Sequence, residues 1–361
     1  MIAQYHYAVL MAVALAATLI ATPIVRDLSL RASLVDRPGG RKVHLKAVPR
    51  LGGVGIFAGF AASLAVEVAG GLSGWWPVAI ASTDLPLLGA LAGCVVIFVV
   101  GLVDDIRGLT PGVKFAGQML AAALPIAAGL RMEFIGNPFG DGLLQMGLLS
   151  YPVTAIWIVA FANVFNLIDG LDGLAAGVAG IAGVSFLLLA IDMNMVVAAV
   201  LAAALIGACA AFLRYNFNPA SIIMGDSGAL FIGFALGCMS LLGVMKSAAA
   251  ITLVAPLLVI GVPVFDTASA IIRRWRSGRP IQEADNGHIH HRLLHRGFSQ
   301  RQTVLTIYAW SAALALGGYS MRHVPITARI VVFLVLAAMS ALMASWLGLF
   351  EQAHVHGDDE D

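Results

Sequence analysis

Two asparagines and two aspartates recur at every third position in Asn163-Val164-Phe165-Asn166-Leu167-Ile168-Asp169-Gly170-Leu171-Asp172-Gly173, a stretch flanked by long apolar runs. A solvated turn between two such runs needs one turn residue, not four oxygen-bearing side chains. A period of three aligns side chains on a 3₁₀ turn but sweeps them half way round an α-helix, and the glycines predict a bent loop instead. Such a loop can aim its amides and carboxylates into one space, which suits a hard cation and a phosphate-bearing ligand.

Other constellations carry similar chemistry. Asp104 and Asp105 close an apolar run, with Arg107 and Lys114 following. Adjacent helical residues point about 100° apart, so one carboxylate can hold a cation or bound group while the other takes a proton; an interfacial acid pair balanced by the nearby bases explains the same residues. Asn216-Phe217-Asn218-Pro219 leads into Met224-Gly225-Asp226-Ser227-Gly228. There Asp226 either caps a helix or ligates a metal at a glycine-permitted bend, with Ser227 and free N–H groups facing a phosphate. His288-Ile289-His290-His291-Arg292 sets three of the nine histidines within four residues. That spacing matches no standard zinc pattern. Imidazoles bonded to a phosphate or sugar account for it better than a basic segment for anionic lipid, which explains only the arginines. The glycine-rich basic loop from Asp36 to Arg50 and Gly53 suits phosphate contact or simple anchoring equally. Asp266 lies inside an apolar run, with Arg273 two turns on as its expected salt-bridge partner.

These groups must be positioned by membrane helices. Of 361 residues 60% are hydrophobic and 11% charged, with a mean hydropathy of +0.91, too little polar surface for a water-facing globule. Runs long enough to cross the hydrocarbon number about eleven, near 7–25, 51–70, 86–103, 115–131, 150–165, 174–191, 195–213, 228–245, 248–272, 303–321 and 326–350. The fold class expected is therefore all-α, a polytopic membrane bundle forming one domain over 1–350, with a disordered acidic tail at 351–361. The first run has no basic residue ahead of it and reads as a retained span. Most of the 21 Lys and Arg residues fall in links after odd-numbered spans. By the positive-inside rule that face is cytoplasmic, the N-terminus lies outside and the C-terminus inside. The polar constellations gather at the same face. Cys94, Cys209 and Cys238 lie in apolar runs as small buried hydrophobes. The net charge of +1 carries no information about nucleic acid, and no nucleic-acid partner is expected.

Taken in order, Asp104-Asp105 with Lys114, Asn163 to Gly173, the Gly225-Asp226-Ser227-Gly228 turn and the His288-Ile289-His290-His291-Arg292-Leu293 loop resemble the polyprenyl-phosphate N-acetylhexosamine-1-phosphate transferases over nearly the whole chain. The resemblance implies a ten- or eleven-helix enzyme of the bacterial inner membrane. It would move a HexNAc-1-phosphate, GlcNAc-1-phosphate first, from a UDP-HexNAc donor to undecaprenyl phosphate, releasing UMP and starting a cell-surface glycan such as lipopolysaccharide or teichoic acid. It implies Mg²⁺, with Mn²⁺ as a substitute, held by Asp226 and Asn166. Lys114 would neutralise the diphosphate, and Asp169 and Asp172 would line the nucleotide side. Asp104 or Asp105 would take the acceptor's proton or orient it. His288, His290 and His291 would bind the diphosphate and sugar, partly as cations, with Asn163, Asn216 and Arg50 as further substrate contacts; a homodimer is the assembly kept open. The chain departs from many N-acetylglucosamine-type relatives at Asn286, where they carry Arg. The weighed alternatives are a CDP-alcohol phosphotransferase, faintly suggested by Asp169-Gly170-Leu171-Asp172-Gly173, and a secondary transporter with broken helices.

Overall fold

A computed structural model describes residues 5–36, 47–77, 79–80, 84–136, 143–244, 258, 260–276 and 287–349. The tail, Asn286 and much of the first basic loop lie outside the described residues. The helices are α1 (Tyr5–Arg31), α2 (Gly52–Leu72), α3 (Leu85–Arg107), α4 (Pro111–Ala127), α5 (Ser150–Ile168), α6 (Leu174–Asp192), α7 (Val196–Asn216), α8 (Gly225–Val244), α9 (Gly261–Arg276), α10 (Ile289–His295), α11 (Gln300–Ser320) and α12 (Ile326–Leu347). Two short antiparallel pairs join β1 (Val35–Asp36) to β2 (Val48–Pro49) and β3 (Phe134–Gly136) to β4 (Leu143–Gln145). This is an all-α polytopic membrane protein. Every expected apolar run contains or overlaps a helix, but among the described residues eight helices are long and apolar enough to cross, not eleven. The fourth run yields a 17-residue α4, short for a hydrocarbon core about 30 Å thick, and the described part of the ninth contains the 16-residue α9.

α7 and α8 form the centre. Their Ala-, Gly- and Phe-rich sequences are apolar all round, as a helix surrounded by other helices must be, and Phe212, Phe231 and Phe234 are fully buried. Small side chains let backbones approach where lipid supplies no hydrophobic drive between helices. The C-terminal ends of α3, α5 and α7 and the N-terminal ends of α2, α4 and α8 meet at one end of this core. There the chain leading into α2 runs against the chain leading into α8: Gly52 N donates to Ile223 O (3.0 Å), Gly53 N to Met224 O (2.7 Å) and Ile223 N to Pro49 O (2.9 Å).

One sequence expectation fails locally. α5 continues to Ile168, so Asn163 and Asn166 are helical and the bend is confined to Asp169–Gly173. Helix propagation with a buried apolar face outweighs the turn preference of two asparagines.

Candidate active site

At this end of the bundle a cavity of about 350 Å³ is lined by five carboxylates, those of Asp36, Asp105, Asp169, Asp172 and Asp226, with Arg50 and His291 as the basic residues among the lining. Asn166 and Asn216 also line it. Residues from five separate links converge, as the chemistry of a shared polyanion site requires.

The adjacent acids at the end of α3 do different things. Asp105 turns to α8, its two oxygens accepting the N–H groups of Asp226 (2.8 Å) and Ser227 (2.9 Å). It is the cap of α8, supplied from another helix. Asp226 is thereby freed from capping itself. The bend that permits this is at Gly225, φ +74°, where a Cβ would stand 2.2 Å from Arg50 O. Asp104 accepts Leu109 N (2.6 Å) and faces Lys114 Nζ at 2.9 Å. Asp226 faces the same nitrogen at 2.9 Å, and Asn166 Oδ1 accepts from it at 3.3 Å. Asn166 Nδ2 donates to the other Asp226 oxygen. Lys114 is thus the ammonium at the junction of α3, α4, α5 and α8.

Asp169 lies in the bend beside this group. Burial first, then the charges of Asp226, Asp105 and Asp172, push its carboxyl up to about 8. Asp172 Oδ2 accepts Asn218 Nδ2 (2.9 Å) and Ala220 N (3.0 Å). Asn216 accepts Gly173 N (3.0 Å) and donates to Ile222 O (2.9 Å). Both line the cavity while tying the bend to the link before α8.

Asn163 is not brought to the cavity lining. Its amide exchanges two hydrogen bonds with Gln118 (3.2 and 2.7 Å) and donates to Val159 O (2.8 Å), so it braces α4 on α5. A polar residue in an apolar helix such as Gln118 is a signal the sequence offers, but its partner is not named there. Asp36 was also missed as a lining residue, since only the pairing of β1 with β2 turns it inward.

The histidines divide as well. His291 lines the cavity; His288 and His290 are buried. Their rings stack at 5.7 Å and 7°, and the His290 and His291 rings lie 4.3 Å apart. A Cβ on Gly170 would stand 2.6 Å from His290 Nε2, so only glycine lets the acidic bend touch this ring. Burial, then His291, pull His290 down to about 3, so it is a neutral imidazole. Asp266 also differs from expectation: its carboxylate takes His288 Nδ1 (3.0 Å) and Ile289 N (2.8 Å). Arg273 Nη1 bonds Ser269 Oγ (3.1 Å) and Leu349 O (2.5 Å).

With this geometry in view, the comparisons with known proteins are informative. Residues 87–244 match the model of glycosyl transferase family 4. A Bacillus subtilis protein named probable undecaprenyl-phosphate N-acetylglucosaminyl 1-phosphate transferase is 37% identical over 340 residues, 94% of this chain and 92% of its own. The chain belongs to glycosyl transferase family 4. A decaprenyl-phosphate N-acetylglucosaminephosphotransferase of Mycolicibacterium smegmatis is 35% identical, covering 84% of this chain and 79% of its own. An undecaprenyl-phosphate alpha-N-acetylglucosaminyl 1-phosphate transferase of Yersinia pestis is 26% identical over 82% and 79%. This family-4 chain is therefore of the polyprenyl-phosphate sugar-1-phosphate transferase type that its motifs resemble. The transporter and CDP-alcohol alternatives fall away.

The donor set fits a magnesium ion. Among the described residues no three His, Cys, Asp or Glu side chains converge as a closed protein cage. Mg²⁺ does not need one; it takes one or two carboxylates and completes its shell with water and substrate phosphates. Asp226 and the carboxylates around it supply oxygens of that kind; Asn166 would join them through Oδ1, which here accepts from Lys114 while its Nδ2 donates to Asp226.

Proposed function

We propose that this protein transfers GlcNAc-1-phosphate from a UDP-sugar to undecaprenyl phosphate, releasing UMP, with Mg²⁺ bound at Asp226 and Asn166. The observation that carries this is the charge balance of the cavity. Five carboxylates share it with one arginine and one histidine, and burial first, then the charges of Asp226, Asp105 and Asp172, raises Asp169 to about 8, so that it stays protonated at neutral pH. Such a site is incomplete without a cation, and a cation there attracts a diphosphate. Positive-inside patterning supports a cytoplasmic location for this face, where a soluble UDP-sugar and a lipid phosphate at the interface can both reach it.

The reaction forms one P–O bond and breaks another. An oxygen of the lipid phosphate attacks the phosphorus bearing the sugar, and UMP leaves with the electron pair of the diphosphate bridge. Both reactants are anions, so positioned positive charge is the main requirement. Lys114 Nζ meets it from one side. Arg50 lines the cavity as a second fixed charge. Of the two acids, Asp105 lines the cavity with its oxygens on the Asp226 and Ser227 N–H groups, while Asp104 stands behind it on Leu109 N and Lys114 Nζ; one of this pair takes the orienting or proton-accepting role. His291, on the cavity wall, contacts the donor. The metal, when bound, offsets charge on the diphosphate and the departing UMP.

Purified protein given Mg²⁺, UDP-GlcNAc and undecaprenyl phosphate is expected to release UMP, and chelation to stop it. Absence of UMP release with every UDP-HexNAc tried sinks this reading.

A further inference from the structure

α10 carries His290 and His291 but has only seven residues, too few to hold together on its own propensity. Its N-cap residue, His288, makes no capping hydrogen bond with its side chain. The support comes from α9. Asp266, 2% exposed, puts one oxygen on Ile289 N, the first N–H of α10 (2.8 Å), and the other on His288 Nδ1 (3.0 Å). At the C-terminal side Arg292 Nε holds Gly287 O (3.0 Å), and Arg292 Nη1 reaches Leu347 O at the end of α12 (3.3 Å). The ring stack running from His288 through His290 to His291 therefore starts at the imidazole that Asp266 grips.

We infer that Asp266 is a positioning residue for donor binding, which caps the histidine helix through one oxygen and orients the His288 ring through the other. The inference rests on the reading of the histidine loop as the donor's contact. A carboxylate accepts only, so it requires Nδ1 of His288 to carry hydrogen and leaves Nε2 as the atom whose state answers the loop's surroundings. Partners that orient a functional imidazole in this way matter because they fix which nitrogen bears the proton as well as where the ring lies. Among the described residues, the groups facing His288 are Asp266 from α9 and His290 from α10, with Arg273 of α9 beside Gly287 at the loop's start, where a Gly287 Cβ would meet its guanidinium at 2.6 Å.

Asp266→Asn separates the two jobs. The amide oxygen can still accept Ile289 N, keeping the cap, while the amide nitrogen presents a donor to His288 Nδ1 and forces the other tautomer. With the enzyme intact, Asp266→Asn is expected to raise KM for UDP-GlcNAc about tenfold or more, with kcat changed less than about threefold. The double variant with His288→Ala is expected to match His288→Ala alone within about twofold, since both act through one ring. KM within twofold of the parent, or losses that multiply in the double variant, overturns the inference. A second readout needs no turnover. In ¹⁵N-histidine-labelled protein one imidazole is expected to show a protonated Nδ1 that is lost in both Asp266→Asn and His288→Ala; unchanged histidine spectra in Asp266→Asn overturn the inference even if the donor assignment stands. A parent enzyme inactive with every UDP-HexNAc, but with the tautomer switch intact, overturns the donor reading instead.

Discussion

Both ends of this bundle bury ionisable groups, and they bury them differently. At one end Asp104 and Asp226 share a single ammonium, and Asp169 sits protonated among acids around an open cavity. At the other end, about 22 Å along α2 from Gly52 by helical rise, Glu67 is closed on itself. One oxygen meets His6 Nε2 and the other accepts Ala79 N (3.3 Å), while the His6 ring stacks on Trp76 at 4.5 Å and on Tyr7 at 5.3 Å. Trp76 Nε1 in turn donates to Glu67 O (3.2 Å). Burial of a carboxylate is common to the two. What separates them is supply: the His6–Glu67 pair is matched one to one and roofed by aromatic rings, whereas the acidic cavity has more negative charge than its own residues can balance. An unbalanced, open cluster is a site for something else to complete; a balanced, covered one is a clamp holding α1 to α2.

The comparison breaks most visibly at Asp226. Asp226→Asn keeps the shape and the Asn166 neighbour but removes the charge that Lys114 and the cation answer. UMP release is expected to fall by at least about 100-fold at every Mg²⁺ concentration, with the melting midpoint little changed. Near-normal turnover would show the residue to be no more than part of the α8 start.

The next effect is a pH dependence confined to the acidic end. Asp169 is raised from its ordinary 3.8 to about 8, so the folded chain retains a proton that the unfolded chain releases within that window. Metal-free stability should therefore decline as pH rises from about 4 to 8. A cation bound beside Asp169 would expel that proton, so apparent Mg²⁺ affinity should rise up to about tenfold per unit as pH climbs toward 8. Melting curves with and without Mg²⁺ at pH 6 and pH 8 check the sign: the Mg²⁺-induced gain must be larger at pH 8.

The smallest effect tests the clamp. Glu67→Gln retains an acceptor for Ala79 N but loses the charge opposite His6, and is expected to lower stability by about 1–3 kcal/mol. UMP release per folded molecule should stay within twofold of the parent. A specific loss of turnover would mean that the His6–Glu67 cluster communicates with the cavity, and the contrast drawn between the two ends would fail.

Composition, the apolar runs and the clustering of polar motifs were enough to establish an all-α membrane protein with a polar site at the span ends, because burial in lipid constrains every residue of a long helix alike. The residue types at Asp104, Asp105, Lys114, Asn166, Asp169 and Asp226 suggested phosphate and cation chemistry, since oxygen donors recurring from Asn163 to Asp172 have no role in a lipid-facing wall. Their division of labour came only from tertiary structure. Asp104 and Asp105 are neighbours of one type, yet one faces Lys114 and the other caps α8, because the direction of a side chain depends on which helix packs opposite it. The same holds for Asn163, drawn to Gln118, for His290, neutral because it is buried against Gly170 and His291, and for Asp266, whose partner lies 22 residues on rather than two turns away. Sequence alone determined which chemistry is gathered at one face; long-range packing decided which atom performs each part, because hydrogen-bond partners far apart in the chain are chosen by geometry that no local pattern encodes.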